Sequence, residues 1–414
     1  MNVSKLMARF QSFKVTGQGL YFATFVAYLL ESFLRTTTYT DFISQNRLNQ
    51  LSFAFVALLL CKIYFFDRQT FKTFLGISMI VVLGLLIWRK THALDILMYL
   101  LLILGARGIK FAAINEWYLK LGTLLMVFTI CSTSLGIIKD LVFLRHGVSR
   151  HALGINYPTD LAAHIFFLIL AYCYYRFGKL SWRDYSGFGV LALVLYAVTQ
   201  ARLDCLLIIV VIPVMWLAQR AAQGKLISRI IVSFYWIAPI ILGYITIVAA
   251  VFFNAKNHLF HLADKAVSGR LVLSHRALNQ YGVPAFGNLV HEHAFGGTEG
   301  SKIFYASGMD GKYFYIDSSY MRLFIIYGLL ALVTVLIVMT IISLHSIRVQ
   351  NYLLAAIMLM VAVSCVIEQH LLDISFNPFL IALLADGAYQ LRYRESTEVI
   401  SWRNIHCKIW RDHL

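Results

Sequence analysis

Five arginines, Arg145, Arg150, Arg202, Arg270 and Arg276, stand in three short stretches of a chain otherwise sparing with charge. A guanidinium offers a planar fork of donors that matches a pair of phosphate oxygens. In "RHGVSRHALGINYPTDLAAH", Arg145 and Arg150 are five residues apart, with His146 and His151 beside them. In "SGRLVLSHRALNQYG", Arg270 and Arg276 are six apart and His275 adjoins the second. Arg202 stands in "TQARLDC", two residues before Asp204. Each stretch also has a plainer reading. Arg202 pairs with Asp204 as an interfacial anchor, the first stretch is a basic loop against lipid headgroups, and the second is an amphipathic interfacial helix.

A second group of residues could move a proton. "HEHAFGG" holds His291, Glu292 and His293. A neutral imidazole or a carboxylate accepts a hydroxyl proton near pH 7. The pattern His-x-His is short and common as a metal signature, and the stronger His-Glu-x-x-His is absent, so no metal site is expected. In "YIDSSYMRLF", Asp317 with Ser318 reads as a helix N-cap or as a base, and Arg322 either pairs with Asp317 or faces a cavity. Glu31, Glu368, His370 and Asp373 sit near the ends of apolar runs, either as functional groups or paired among themselves.

The elements that must position these groups follow from composition. The 414 residues are 60% hydrophobic and 14% charged, against roughly 25% charged in soluble domains. Runs long enough to cross a ~30 Å hydrocarbon layer recur along the whole length. The expected fold is therefore an all-α polytopic membrane protein, one integral domain over 1–414. A β-barrel is excluded because these runs do not alternate. Spans are expected at 17–34, 51–66, 73–88, 92–108, 117–138, 160–176, 186–199, 203–219, 231–253, 319–344, 351–367 and 376–391, about twelve in all. Lys5, Arg9 and Lys14 precede the first run, and no small-residue cleavage site follows it, so the first helix is expected to stay as an anchor.

Lys and Arg in alternate short loops orient the bundle with both termini cytoplasmic, including a basic tail at 392–414. Two outer segments break that bias: a basic loop at 139–159 and a large extracytoplasmic loop at 254–318, whose glycines, histidines and aromatics suggest ordered structure with short helices. Positive charge held against the topology bias calls for an anionic ligand, and arginines at a membrane surface suit the diphosphate of a lipid carrier. The net charge of +16 is thus read as loops and site, not as a nucleic-acid footprint. The six cysteines lack Cys-x-x-Cys spacing and read as small core residues. No phosphate-binding loop or nucleotide-sugar signature occurs, so no ATP or nucleotide donor is expected.

Four segments occur in one order: "SRHALGINYPTDLAAHIFF", "VTQARLDCLLIIVV", "SGRLVLSHRAL" and "FYIDSSYMRLFIIYGLL". Over about 145–335 the chain resembles the bacterial O-antigen, capsule and exopolysaccharide polymerase family (Wzy-type, of the O-antigen ligase superfamily), its Gram-positive members in particular. That family's patterns run "GF-HPN", "T-SR", "SGR" and "DN-Y". Here Tyr157 replaces the family histidine, "AR" keeps Arg202, and "DSSY" keeps Asp317 and Tyr320. The resemblance implies a GT-C-like, metal-independent glycosyltransferase at the outer face of the cell membrane, with no cofactor. Its ligand would be an undecaprenyl-pyrophosphate-linked oligosaccharide, and its partners a chain-length regulator and a flippase. Arg145, Arg150, Arg202, Arg270 and Arg276 are then the pyrophosphate-binding candidates; His291, Glu292 and Asp317 the catalytic ones; and His151, His275, Tyr320 and Arg322 their support. Rival readings are a ligase that moves the glycan to another acceptor, and a transporter or flippase of an anionic lipid or solute.

Overall fold

The computed structural model describes residues 16–145, 147–307 and 313–390. His146 and the predicted basic tail at 392–414 lie outside the described residues. The helices, in chain order, are α1 (Gly17–Arg35), α2 (Gln45–Cys61), α3 (Phe71–Thr91), α4 (Asp95–Gly105) and α5 (Phe111–Ser134). A hairpin of β1 (Val142–Arg145) and β2 (Val148–His151) follows, then α6 (Pro158–Arg176), α7 (Trp182–Thr199), α8 (Arg202–Ala222), α9 (Leu226–Val232) and α10 (Ala238–Val251). The long loop carries α11 (His258–Ala266), α12 (Arg270–Tyr281) and α13 (Gly297–Ser307), and the chain continues through α14 (Ser319–Arg322), α15 (Leu329–Arg348) and α16 (Leu353–Ile367).

Among the described residues, five segments are long and apolar enough to cross a membrane: Gln45–Phe66, Phe71–Thr91, Arg202–Ala222, Leu226–Val251 and Leu329–Arg348. Bulky apolar side chains project outward from the bundle, among them Met79, Leu124, Leu193 and Ile227. Water would penalise such a surface, whereas hydrocarbon accepts it. The boundaries follow local chemistry. Pro158 starts α6, where its missing N–H is no loss. Ser181 and Asp184 form a reciprocal capping box on α7. α16 is buried on almost every side, packed among α8, α10 and α15.

Three departures from the expected layout bear on the site. The loop at 139–159 contains the hairpin, so the fold is not purely helical. The expected span 319–344 is divided at Gly328, after a π-turn over Leu323–Tyr327. Of the expected span 376–391, the described residues 376–390 form no α-helix. Pro378 disfavours helix at Asn377, and short 3-10 turns replace it. Its carbonyls are taken by tyrosines from other helices: Tyr99 donates to Asn377, Tyr118 to Phe376, and Tyr174 to Ala388 at 2.9 Å. The segment is apolar because protein surrounds it, and irregular backbone is tolerated at such a place for that reason.

At the break in the expected span, the loop 284–288 crosses the chain. Leu329 N donates to Pro284 O and Asn288 N to Ile326 O, each at 2.9 Å. Gly287 and Gly328 have φ of 96° and 92°. A Cβ on Gly328 would lie 2.5 Å from Gly287 N and 2.6 Å from Ala285 O. A non-glycine residue in this conformation costs about 1–3 kcal/mol before any collision. Gly328→Ala is therefore expected to lower the thermal midpoint of the detergent-purified protein by several degrees; a melt superimposable on wild type would mean that this crossing has slack.

Candidate functional site

The hairpin register pairs Phe143 with Arg150 and Arg145 with Val148. Side chains alternate along a strand, so Phe143, Arg145 and Arg150 share one face. That face rests on a small aromatic platform. Leu141, Phe143, Ala152 and Phe295 form its core, with Tyr157, Phe304 and Tyr313 packed against it. Asp140 fixes the base of the hairpin: its Oδ1 accepts Leu153 N at 2.8 Å, and its Oδ2 meets His151 Nδ1 at 2.6 Å. His151 thus has an anchoring role in the structure.

Arg145 and Arg150 line a cavity of about 710 Å³ together with Tyr157, Asp160, Arg270, Tyr313, Tyr315, Asp317 and Gln369. Arg150 is almost wholly buried. Its Nε donates to Thr199 O at 2.8 Å, and its guanidinium carbon lies 5.5 Å from the centre of the Tyr157 ring. Among the described residues, neither Arg145 nor Arg150 has a carboxylate in ion-pair contact. Burial and the nearby guanidiniums of Arg150, Arg202 and Arg270 pull the pKa of Arg145 below its ordinary value, with Tyr157 opposing them. Guanidiniums that no carboxylate pairs favour an anion beside them; the carboxylates of Asp41 and Glu299 on the same wall are taken by Lys139 and Lys302.

Deeper, the sign changes. Arg270, presented at the start of α12 by Gly269 in a left-handed conformation, donates to Glu368 Oε1 at 3.1 Å and stands 3.7 Å from Asp317 Oδ2. Asp160 and His370 adjoin this pair, His370 Nε2 lying 3.4 Å from both Asp160 Oδ1 and Glu368 Oε2. Burial, the largest cause, together with Glu368 and Asp160, pushes the pKa of Asp317 up to about 6, against the pull of Arg270 and Arg322. A second cavity of about 270 Å³ continues from the first, sharing Gln45, Asn156, Asp160, Tyr315 and Gln369 with it.

The structure thus brings Arg145, Arg150, Arg270 and Asp317 onto one surface. It does not bring the other candidates there. Arg202 is exposed at the start of α8, within electrostatic reach of Arg145 but off the cavity wall. It forms no ion pair with Asp204, whose carboxylate turns inward and is buried. Arg276 is exposed and lies over the Phe314 ring. His291 is exposed. Glu292 is taken up by Arg322 at 2.7 Å and by Ile316 N at 2.9 Å. That pairing, not one with Asp317, settles Arg322 on the wall of the smaller cavity. His275 is held by Ala250 O and Asn279. Tyr320 donates to Ala362 O inside the bundle. Ser318, not Asp317, is the N-cap residue of α14.

Sequence reasoning undervalued Asp160, Glu368 and His370. For Glu368 and His370 the signal was "EQHLLD" at 368–373, ionisable residues directly after a fifteen-residue helix whose one polar position is Ser364. What the site can do follows from its two halves. Guanidiniums at the mouth hold an anion, aromatic faces line the space between, and a carboxylate of raised pKa waits at the inner wall. Removing the cation of a buried pair leaves its carboxylates uncompensated, at about 3–5 kcal/mol. Arg270→Met should destabilise the protein by that order in thermal unfolding, and Glu368→Gln on the same background should recover part of it. An additive loss from the second change would contradict the pairing.

Compared with family models, with curated proteins and with solved structures, the chain matches none of them.

Proposed function

We propose that the cavity receives a glycan carried on a polyprenyl diphosphate, and that the protein is a polysaccharide repeat-unit polymerase on a GT-C-like bundle. It works at the outer face of the cell membrane with both termini cytoplasmic. The observation that carries this reading is the pair of carboxylate-free guanidiniums, Arg145 and Arg150, over a 710 Å³ cavity with an aromatic lining and Asp317 at its inner wall. The ordered resemblance of four segments to glycan polymerases points the same way.

In the reaction, a hydroxyl oxygen of the acceptor repeat unit forms a bond to the anomeric carbon of the donor glycan. The bond from that carbon to the diphosphate oxygen breaks, and the electron pair leaves with the diphosphate. Charge grows on that leaving group, and fixed guanidiniums at Arg145 and Arg150 stabilise it as it grows. The hydroxyl proton passes to the Asp317 carboxylate, whose pKa of about 6 keeps it largely ionised yet basic near neutrality. Arg270 holds that carboxylate in place.

The test uses purified protein with polyprenyl-diphosphate-linked repeat units as both donor and acceptor, and sizes the product. Arg145→Ala and Arg150→Ala should each lower chain growth about 100-fold or more, and Arg150→Lys should restore little of it because an ammonium lacks the planar fork. Arg183→Ala, at the other end of α7, should behave as wild type. Wild-type chain lengths in both alanine variants would sink the reading, and product formed only with a second, unlike acceptor would convert it to a ligase.

Activity should also depend on pH in a defined sense. The base must be ionised, so the rate rises with pH and passes its half-point near the Asp317 pKa of about 6. Asp317→Asn should abolish that rising limb and cost about 10²–10⁴ in rate. A limb that persists unchanged in the Asn variant would assign the base elsewhere.

A further inference from the structure

Beneath the Arg270 pair lies a group of side chains that the proposed reaction does not use. Asp160 stands in the first turn of α6, and Glu368 and His370 follow the end of α16. One ligating atom from each lies within 4.8 Å of the other two. His370 is 4% exposed, and its Nε2 is buried without a hydrogen-bond partner, 3.4 Å from one oxygen of each carboxylate. Glu368 divides its labour: Oε1 takes Arg270, and Oε2 faces His370. Imidazole and carboxylates bound to a divalent ion at 2.0–2.2 Å sit about 3–3.5 Å from one another, which matches the 3.4 Å edges at His370.

A second observation is independent of these three residues. Asp204, on α8, is 1% exposed, and its Oδ1 is buried with no donor. Glu368, Arg270, His370 and Asp160 are the charged groups close enough to act on it. Gln369 Oε1 and Asn156 Oδ1, on the wall shared by the two cavities, are likewise buried acceptors without donors. Asp204, Asp317 and Glu368 therefore gather around the Arg270 guanidinium, and Asp160 joins Glu368 at His370. Buried oxygens that lack donors are costly, and buried carboxylates call for positive charge.

We infer that Asp160, Glu368 and His370 form a binding site for one divalent cation of the Mn²⁺ or Zn²⁺ type, with Asp204 as an outer carboxylate. Mixed imidazole and carboxylate ligation suits these ions better than Mg²⁺. The ion would join the start of α6 to the end of α16 at the wall of the cavity, which Asp160 lines and through which an ion can arrive. The competing occupant is a proton on His370, which supplies one positive charge where a divalent ion supplies two. The inference concerns binding and does not depend on the reaction proposed above.

The test is direct. The full-length protein in detergent is stripped with EDTA, dialysed and titrated with Mn²⁺ at pH 7.5, with bound ion followed by electron paramagnetic resonance. One ion per chain is expected, with a nitrogen hyperfine coupling from the imidazole and a thermal midpoint raised by several degrees. His370→Gln should abolish the nitrogen coupling and weaken binding at least tenfold, and Asp160→Asn should weaken it similarly. If the wild type takes up neither Mn²⁺ nor Zn²⁺, the inference falls and the proton is the occupant. It falls equally if both variants bind as wild type does. Should the variants fail to fold, the wild-type stoichiometry, nitrogen coupling and thermal shift decide the matter alone.

Discussion

The arrangement depends on how a buried guanidinium is compensated. Arg270 comes from a helix in the long loop, yet its counter-charges come from elsewhere: Asp317 just before α14, and Glu368 just after α16. A charge removed from water must find opposite charge and hydrogen bonds close by. That requirement pins α12 against the ends of two core helices. The long loop is thereby made part of the bundle, and the wall of the cavity is fixed where an uncharged contact would leave it free to slide.

Around that pin the charge is distributed with a direction. The hairpin contributes Arg145 and Arg150 without carboxylates, and the inner wall contributes carboxylates in excess of guanidiniums. A molecule with an anionic group at one end and hydroxyls at the other would meet complementary fields at both ends and would be oriented before any chemistry. The hairpin contributes stiffness: its arginines share a strand face, and Asp140 closes its base. Arg150 then spends its Nε on Thr199 O, so its remaining donors are aimed by the scaffold and not by the ligand.

Much of this was legible in the sequence, and the failures have identifiable causes. Run length located the long apolar helices, because lipid-facing and core-facing residues are both apolar, but it gave no positions for the short helices of the long loop. The same property misread 376–391, where apolarity reflects burial among helices and Pro378 with Asn377 were the overlooked signs. Arg145, Arg150, Arg270 and Asp317 were recognised from residue type near a boundary. Arg202 and Arg276 carry the same signal, and only three-dimensional packing separates them from the others. Asp160, at the start of an apolar run, drew no attention as a site residue, although it lines both cavities. Glu292 and Arg322 each looked available, and each is satisfied by the other across thirty residues, a pairing no local pattern encodes.

The irregular stretch from His370 to Leu383 gives the molecule its internal form. Phe376 lies sandwiched between the rings of His164 and His370, at 3.8 and 3.6 Å, and with Leu372 and Asp373 it makes the floor of the smaller cavity. Tyrosines from α4, α5 and α6 hold the backbone beneath. The hollow is accordingly floored by backbone held in place from outside the segment. A passage through the bundle at this floor would demand that a stretch of chain tethered by Tyr99 and Tyr118 first let go.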